Sequence, residues 1–494
     1  MTDMWPRPGR SSTPAMDYRP GTPIDRRLVS SGRIESIDGR KAFVTATMTD
    51  EDGTVLSEAT GPMVQLLPPP AMRGAMSEPI EFTVPAAADA VAAVIGDREF
   101  IIQGDRRFTH NDIVERATRL AAFLHAQGLG CHTERAELPG HEVGQDLLGI
   151  YAHNGPEYVE GMLGAWRARV APFNVNYRYV KSELAYLLSD SGATALLYHA
   201  AFAPRLAEVL PDLPRLRVLI QIADDSGNEL LPGAVDYESI VGSGPADTPP
   251  VEPSPDDLYV LYTGGTTGMP KAVLWRQHDI FMTSFGGRSL YTGELAGSYD
   301  DIAHRCAESP GTKLMVLPPL MHGAAQWAVL TAMTTGQSVV FSPVTSHLDV
   351  DDVVRTIERE KILAVSVVGD AMARPLADAF ERTDADLSSL AVVANGGAQL
   401  TPTAKQRLID AKANLMVVDG VGSSETGAQM THMSAPGAVS TGTFTAGPDT
   451  FVAAEDLSAI LEPGHDGMGW LAQRGYVALG YKGDAAKTAA TFPV

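Results

Sequence analysis

The stretch DDLYVLYTGGTTGMPKAV, residues 256–273, joins an apolar run to a loop rich in glycine and threonine. Residues 257–262 have the continuous apolar character of a buried strand. In the loop that comes next, three glycines let the backbone approach an anion closely, three threonines add hydroxyl donors, and Lys271 adds a positive charge. Together these features predict a binding site for a polyphosphate.

The loop differs from the Walker A sequence of P-loop nucleotidases. In a Walker A loop the lysine follows glycine and precedes serine or threonine. Here Lys271 follows Pro270 and precedes Ala272, which disfavours a P-loop enzyme. The other interpretation is a flexible surface loop, but such loops rarely follow a continuous apolar strand.

Four short apolar runs end in glycine-rich or polar loops, and they predict an α/β fold. The pattern of strand, glycine loop and helix places ligand sites at the carboxyl ends of strands. The four runs are LLGIYAHNG at 147–155, DDLYVLYTGG at 256–265, LAVVANGG at 390–397 and NLMVVDGVGSSE at 414–425. An amphipathic helix is predicted between Thr109, as N-cap with Asp112 three residues later, and Gly128, which ends it.

Composition excludes several classes of function. Sixty acidic and 38 basic residues give a net charge of −22, which repels nucleic acids and anionic membrane surfaces. The two cysteines, Cys131 and Cys306, lack the spacing of a disulfide framework or a zinc site. The N-terminus has no apolar run of a signal peptide, and no stretch has the length of a transmembrane helix. A cytoplasmic protein is the default expectation.

The N-terminal part is expected to differ from the rest. Residues 1–27 are predicted to be a disordered tail, and residues 28–67 a β-hairpin with its turn at Asp50–Gly53. The hairpin resembles the last strands of hotdog-fold acyl-CoA thioesterases of the phenylacetate type. No thioesterase activity is implied, because that family's central helix and acidic catalytic residue have no counterpart. Residues 68–81 read as a linker before a new domain that starts near Phe82.

The phosphate-binding loop resembles that of the adenylate-forming superfamily, which contains acyl-CoA synthetases, non-ribosomal adenylation domains and beetle luciferases. Further motifs occur in the order of the superfamily: LPPLMHGAAQW at 317–327, NGGAQL at 395–400, DGVGSSETG at 419–427 and GWLAQRGYVALGYKGDAAKT at 469–488. The likeness covers residues 82–494. It implies a multi-subdomain α/β large domain with stacked sheets and helices, preceded here by the short β-hairpin extension.

The resemblance also implies roles for individual residues. Those expected to hold the phosphates of ATP are Thr263, Gly264, Gly265, Thr266, Thr267, Gly268, Lys271 and Ser424. Those expected to line the adenine are Gly396, Gly397, Ala398, Asp419, Gly420, Val421 and Gly422. Glu425, together with Thr267, would hold Mg²⁺ through hard oxygen ligands. His322 would lie between the carboxylate and nucleotide sites as a gate. The alternatives are a solvated carboxylate at a helix start for Glu425 and a structural role for His322.

The implied reaction is attack of a carboxylate oxygen on the α-phosphorus of ATP, with pyrophosphate leaving in line. Two anions must be brought together, so catalysis would rest on orientation and on neutralisation of charge by Mg²⁺ and Lys271. The acyl-adenylate would then be captured by the thiol of coenzyme A. GSSETGAQ at 422–429 and KAVLWRQHDIF at 271–281 resemble actinobacterial-type synthetases for fatty acids or steroid side-chain acids.

Several positions depart from the pattern of the superfamily. Ala272 replaces a glycine, Val421 replaces an aromatic residue that stacks on adenine, and Ser424 replaces a threonine. The chain stops shortly after GYKGDAAKT, so we expect the small C-terminal domain with its catalytic lysine to be absent and activity to be poor. Two alternatives stay open: an aryl or aminoacyl adenylation domain, and a non-catalytic fragment that binds a nucleotide or an acyl group. A homodimer is also left open.

Overall fold

The computed structural model describes residues 80–494 apart from 265–268, 290–292, 441, 463 and 494, together with the backbone of four strands between residues 15 and 64. The chain divides into two compact units, Met1–Pro79 and Ile80–Val494. The larger unit therefore begins two residues before Phe82, where the sequence placed the start of a new domain.

The smaller unit contains a four-stranded antiparallel sheet with the order β1-β4-β3-β2. Its strands are β1 (Ala15–Tyr18), β2 (Leu28–Asp38), β3 (Lys41–Asp50) and β4 (Val55–Val64). Strands β3 and β4 form the predicted hairpin. The sheet is wider than that hairpin, because β2 pairs with β3, and β1 pairs with β4 from within the stretch expected to be disordered. The remainder of residues 1–27 and the linker up to residue 79 lie outside the described residues.

The larger unit contains an eight-stranded sheet with the order β11-β10-β9-β7-β8-β12-β13-β23. Neighbours are parallel from β11 to β12, whereas β13 is antiparallel to both β12 and β23. The strands are β7 (Leu147–Tyr151), β8 (Ala171–Asn174), β9 (Ala195–His199), β10 (Val218–Ile222), β11 (Ala234–Asp236), β12 (Leu258–Thr263), β13 (Lys271–Arg276) and β23 (Gly480–Tyr481).

A nine-stranded sheet has the order β20-β19-β18-β17-β16-β14-β15-β5-β6, with parallel neighbours from β18 to β5. The strands are β5 (Glu99–Gln103), β6 (Arg106–Thr109), β14 (Lys313–Val316), β15 (Ser338–Phe341), β16 (Ala364–Val367), β17 (Val392–Asn395), β18 (Met416–Ser423), β19 (Gly427–Ser434) and β20 (Thr445–Ala446). A separate two-stranded sheet pairs β21 (Thr450–Ala453) with β22 (Trp470–Gln473).

Helices connect the strands of the larger unit. They are α1 (Val84–Ile95), α2 (His110–Ala126), α3 (Pro156–Arg167), α4 (Lys181–Ser191), α5 (Ala203–Ala207), α6 (Tyr237–Val241), α7 (Gln277–Ser284), α8 (Tyr299–Glu308), α9 (Gly323–Thr334), α10 (Val350–Glu360), α11 (Gly369–Arg382), α12 (Pro402–Ala411) and α13 (Ala485–Thr491). Across the described ranges, none of these helices is long and apolar enough to cross a membrane.

Helix α2 forms as the sequence predicts. Thr109 accepts the backbone N–H of Asp112, and the Asp112 carboxylate accepts the backbone N–H of Thr109, so the capping box is complete. Gly128 then takes a φ of +71°, a conformation that favours glycine after a helix. The α/β fold class is confirmed.

The pattern of strand, loop and helix holds at two of the four glycine-rich loops. Helix α3 follows the loop at 152–155, and α12 follows the loop at 396–401. After the loops at 264–270 and 424–426 the prediction of a helix is wrong, because the chain returns as the antiparallel strands β13 and β19. In β13, the run from Ala272 to Trp275 is buried throughout, and continuous burial suits a central strand.

The largest hydrophobic core packs residues of the two large sheets together with the helices between them. It contains Ile150 of β7 and Leu261 of β12 from one sheet, and Phe100 of β5 and Val316 of β14 from the other. Trp166 of α3 is fully buried in it, and its indole N–H donates to the Leu258 carbonyl at 3.0 Å. The common core thereby fixes the loops of the two sheets relative to each other.

A buried charge network joins α2, α3 and α6. The fully buried carboxylate of Glu160 accepts hydrogen bonds from the Arg116 guanidinium, at 2.8 Å, and from the Tyr237 hydroxyl. Arg116 also donates to Glu238 at 2.7 and 3.0 Å. Burial raises the pKa of Glu160 to about 7, although the Arg116 charge acts in the opposite direction.

This raised pKa predicts a pH-dependent effect of Glu160→Gln on stability. Because the folded-state pKa of Glu160 lies above its unfolded value, its contribution is fully present below the unfolded pKa and is lost as pH rises towards 7. The glutamine variant lacks this loss, so its melting temperature relative to the unsubstituted chain should rise by roughly a few degrees between pH 5 and pH 8. Thermal unfolding at several pH values measures the difference.

Glu115→Gln is the matched control on α2, because the Glu115 side chain is 56% exposed. Its melting-temperature difference should stay flat with pH. A flat difference for Glu160→Gln as well would contradict the raised pKa.

Candidate functional site

The predicted phosphate loop connects two paired strands in the interior of the eight-stranded sheet. Thr263 at the end of β12 lies opposite Lys271 at the start of β13. Gly264 and the Lys271 side chain are exposed to solvent. Gly265, Thr266, Thr267 and Gly268 lie outside the described residues, so their roles in binding phosphate and metal stay predictions.

Asn174, at the end of β8, holds the base of this loop. Its amide donates to the Tyr262 carbonyl at 2.8 Å, and its oxygen accepts the Tyr262 N–H at 2.7 Å. The same amide nitrogen donates to the Met321 carbonyl at 2.6 Å. One buried side chain therefore ties the strand before the phosphate loop to the segment that carries His322.

His322 lies after β14, at the position that caps the N-terminus of α9. Its segment is also fixed by Asn154, which accepts the Leu320 N–H at 2.7 Å and donates to the Pro318 carbonyl at 3.0 Å. Desolvation and the nearby Arg178 charge lower the pKa of His322. The imidazole is therefore neutral at pH 7, which is compatible with a gate beside anionic substrates.

The residues predicted to line the adenine come together at the carboxyl ends of β17 and β18. Asn395 and Asp419 are paired in register, and a Cβ on Gly396 would lie 3.9 Å from the Gly420 carbonyl oxygen. Gly397, which has a φ of +78°, and Ala398 are exposed, as are Gly420 and Gly422, whereas Val421 is half-buried. These segments expose backbone and small side chains on one rim.

The side chain of Asp419 has structural partners. Its carboxylate forms a buried ion pair with Lys405 at 2.5 Å and accepts a hydrogen bond from the Asn395 amide at 2.9 Å. Asn395 in turn accepts the Gly369 N–H at 2.7 Å. The Asp419 carboxylate is therefore occupied by partners within the protein, and it organises the loops after β16, β17 and β18.

Ser424 and Glu425 lie in the tight turn between β18 and β19. The interpretation of Glu425 as a carboxylate at a helix start is wrong, because the chain turns directly into an antiparallel strand. Gly422 allows this turn, since a Cβ there would lie 2.2 Å from the Gly427 carbonyl oxygen. The Trp275 indole of β13 donates to the Ser424 carbonyl at 2.8 Å. The strand that carries Lys271 is thereby joined to the turn that carries Glu425.

Tyr481 of β23 makes a second link between the two sheets. It pairs with Val273 of β13, and its hydroxyl donates to the Glu425 carboxylate at 2.7 Å. Burial and the Glu425 charge raise the pKa of Tyr481 to about 12, so the phenol keeps its proton and remains a donor. The Glu425 carboxylate is thus held in one orientation beside the strand that begins with Lys271.

Trp275, Tyr481 and Asn174 were missed by the sequence analysis. Tyr481 lies in the motif GYKGDAAKT, where a tyrosine among small and charged residues was an available signal. Trp275 and Asn174 gave no local signal, because their partners Ser424 and Met321 are 149 and 147 residues away in sequence.

The donor set at Glu425 fits a magnesium ion that arrives with a nucleotide. Mg²⁺ is usually held by one or two carboxylates and by substrate phosphates. In the part of the chain that the structure describes, no group of three or more His, Cys, Asp or Glu side chains could hold a metal ion. The assignment of Mg²⁺ to Glu425 and Thr267 stays a prediction.

Comparisons with known proteins identify the family. The sequence model described as "AMP-binding enzyme" matches residues 88–482. The chain is 76% identical over 413 residues to the medium-chain acyl-CoA ligase Mig of Mycobacterium avium, covering 84% of this chain and 75% of that protein. It is 36% identical to a medium/long-chain-fatty-acid and 3-oxocholest-4-en-26-oate CoA ligase of Mycobacterium tuberculosis, over 82% of this chain and 72% of that protein.

Solved structures share the fold of this chain. The N-terminal domain of FACL13 from Mycobacterium tuberculosis superposes with a TM-score of 0.66 at 21% identity, covering 84% of this chain and 94% of that domain. With the family match and the mycobacterial relatives, these findings place the chain in the AMP-binding enzyme family, the adenylate-forming enzymes that include the acyl-CoA ligases.

Proposed function

We propose that this chain activates a medium-chain fatty acid with ATP and Mg²⁺ to an acyl-adenylate and transfers the acyl group to coenzyme A. The observation that carries the proposal is the joining of Lys271, Ser424 and Glu425 through Trp275 and Tyr481. These links hold the strand that begins with Lys271 beside the turn that carries Ser424 and Glu425. A cation, a hydroxyl and a hard oxygen ligand are the groups that in-line displacement on a polyphosphate requires.

In the proposed reaction the residues of the chain position the substrates and neutralise their negative charges. None of these residues serves as a nucleophile. The substrate carboxylate attacks the α-phosphorus, the bond to the bridging oxygen breaks, and the electron pair leaves with pyrophosphate. Lys271 would balance charge on the leaving group, and Ser424 would donate to the α-phosphate. Mg²⁺, held by Glu425, would neutralise phosphate charge. The rim at 396–398 and 419–422 would accept the adenine by dispersion and backbone contacts.

The choice of acid rests on the relatives. The Mig ligase, at 76% identity, is named for medium-chain acids, whereas the ligases that also activate a steroid side-chain acid are 35–37% identical. A medium-chain acid is therefore the first candidate and a steroid side-chain acid the second.

We further propose a cytoplasmic location, because the cytoplasm supplies both ATP and coenzyme A. Sedimentation of the purified chain tests whether it forms a homodimer.

Acid-dependent exchange of ³²P between pyrophosphate and ATP tests the reaction. Exchange is expected with hexanoate, octanoate or decanoate, and weaker exchange with a 3-oxo-steroid side-chain acid. Addition of coenzyme A should then give the thioester. Benzoate and an amino-acid mixture serve as comparison substrates. Exchange with amino acids alone would support a carrier-protein adenylation domain, and nucleotide binding without any exchange would support a non-catalytic protein.

Lys271→Ala is expected to weaken ATP binding about tenfold, which corresponds to ~1.4 kcal/mol, because a charge-assisted contact to the phosphates is lost. Isothermal titration with ATP and Mg²⁺ measures the change. Lys412→Ala is the control, because the Lys412 ammonium donates to the Ala413 carbonyl at the end of α12. Unchanged ATP affinity in Lys271→Ala would remove the phosphate-loop assignment.

Glu425→Gln is expected to lower the rate of acyl-adenylate formation by roughly a hundredfold and to raise the Mg²⁺ concentration needed for half-maximal rate. Tyr481→Phe keeps the carboxylate but removes its donor, so a loss of about tenfold is expected. Initial rates of pyrophosphate release against Mg²⁺ concentration measure both effects. Glu308→Gln, at a side chain that is 70% exposed on α8, is the control. An unchanged Mg²⁺ requirement in Glu425→Gln would exclude Glu425 as the metal-holding residue.

A further inference from the structure

A cavity of about 750 Å³ lies between α8 and the amino ends of three strands of the nine-stranded sheet. Thr312, Gln337 and Leu363 line it, and they directly precede β14, β15 and β16 respectively. Because β14 pairs in parallel with both β15 and β16, these three residues lie along one edge of the sheet. His322 and the rim predicted for adenine lie at the other edge, after the carboxyl ends of the strands. The cavity is therefore separate from the candidate site.

Helix α9 shows how far apart the two places are. It begins directly after His322, and Thr335, which follows its last residue, lines the cavity. An α-helix rises 1.5 Å per residue, so the 12 residues of α9 span about 18 Å. A small molecule bound beside His322 is therefore well away from the cavity.

The wall of the cavity is more apolar than polar. Its apolar side chains are Leu295, Ala296, Pro310 and Leu363. Leu295 is 43% exposed, so part of this apolar surface is open to a ligand. The Gln337 amide in the wall already donates to the Thr312 hydroxyl at 3.0 Å. Pockets for small molecules commonly enclose about 300–1,000 Å³ and are mostly apolar, and this cavity has both properties.

Arg305 of α8 contributes a cation to this wall. Its Nη1 donates to the Gly286 carbonyl and its Nε to the Asp301 carbonyl, both at 3.4 Å, which is long for a hydrogen bond. Its Nη2 is buried and has no hydrogen-bond partner among the described residues. A guanidinium has five N–H donors, and a partly buried charge without an anion is costly. The Arg305 side chain is therefore weakly held and suits an anionic partner.

The acidic side chains of α8 that line the cavity have other contacts. The Asp301 carboxylate accepts the Gly297 N–H at 2.8 Å. The Glu308 carboxylate lies 3.4 Å from the His304 imidazole, and both side chains are about 70% exposed. The contacts of Arg305 with α8 and the segment before it are thus made to backbone carbonyls.

We propose that this cavity binds a carboxylate with an apolar body, such as a free fatty acid, whose head group pairs with Arg305. A carboxylate matches the planar fork of a guanidinium, and the apolar wall would cover the body of the ligand. The inference does not depend on the proposed function, because the cavity shares no residue with the candidate site. The alternative is a solvent-filled cavity in which the stem of Arg305 only covers apolar surface.

Photo-crosslinking locates the ligand directly. The whole chain is irradiated without ATP in the presence of a medium-chain fatty acid that carries a diazirine at its methyl end, and labelled peptides are identified by mass spectrometry. Label is expected in peptides that contain residues 295–312, 335–337 or 363. Octanoate should compete for this labelling roughly tenfold better than octanol, because the alcohol has no charge to pair with Arg305.

Substitution of the arginine tests its role. Arg305→Gln should reduce the labelling of these peptides roughly tenfold, and Arg305→Lys, which keeps the charge, should restore most of it. Arg374→Gln on α11 is the matched control, because the Arg374 side chain is 59% exposed and pairs with Asp370 at 2.6 Å. Its labelling should equal that of the unsubstituted chain.

Each outcome decides the inference. Absence of label from the three segments would overturn it, and so would equal competition by octanol and octanoate, a comparison that needs no variant. Equal labelling of Arg305→Gln and the unsubstituted chain would also overturn it. Label in these segments that octanoate displaces, that Arg305→Gln loses and that Arg305→Lys restores would support it.

Discussion

The antiparallel pairing of β12 with β13 sets the geometry on which the candidate site depends. Thr263 and Lys271 are opposite each other, so the two ends of the seven-residue connection 264–270 are held at the spacing of neighbouring strands. Both strands lie inside the sheet, between β8 and β23, and cannot move apart without breaking further ladders. The two ends of the predicted phosphate loop are thereby held in place.

The same two strands also connect the sheets. Trp275 lies four residues after Lys271 on β13 and reaches Ser424, and Asn174 reaches from β8 to both Tyr262 and Met321. These are long-range hydrogen bonds in a buried or partly buried setting, where loss of one partner leaves the other unsatisfied at a cost of about 1–3 kcal/mol. Such bonds mainly fix the positions of the segments they join, because any other arrangement would leave a buried polar group without a partner. They explain how residues from β13, β14, β18 and β23 meet although each belongs to a different segment of the chain.

Local sequence signals predicted the parts of this fold that local interactions determine. Thr109, Asp112 and Gly128 define the ends of α2, because caps depend on residues within one turn of the helix end. The strands before the glycine-rich loops were also predicted correctly. The elements after two of those loops were predicted wrongly, because a buried apolar run such as residues 272–275 forms a helix or a strand according to its neighbours.

The candidate site was predicted by resemblance at the level of segments, and the structure adds the side-chain partners. Asp419 illustrates the difference. It lies on the predicted adenine rim, yet its carboxylate is paired with Lys405 from α12. No spacing in the sequence indicates this partner, since ion pairs between distant residues are set by the packing of β18 against that helix. Lys405 is only 1% exposed, and a buried charge needs an opposite charge close to it. The ion pair therefore stabilises the buried charge of Lys405 as well as that of Asp419.

The electrostatics of the chain combine a strongly negative net charge with a local cation at Lys271, and the two act over different distances. At physiological ionic strength, charges farther apart than about 8 Å are largely screened from one another. An anion in contact with Lys271 is therefore little affected by most of the 60 acidic residues, whereas its contact with the lysine is hardly screened. A nucleic acid spans many such distances and meets the negative surface along its length. A local cation in an acidic protein thus favours a small anion over a polymeric one, which is compatible with the proposed site for ATP.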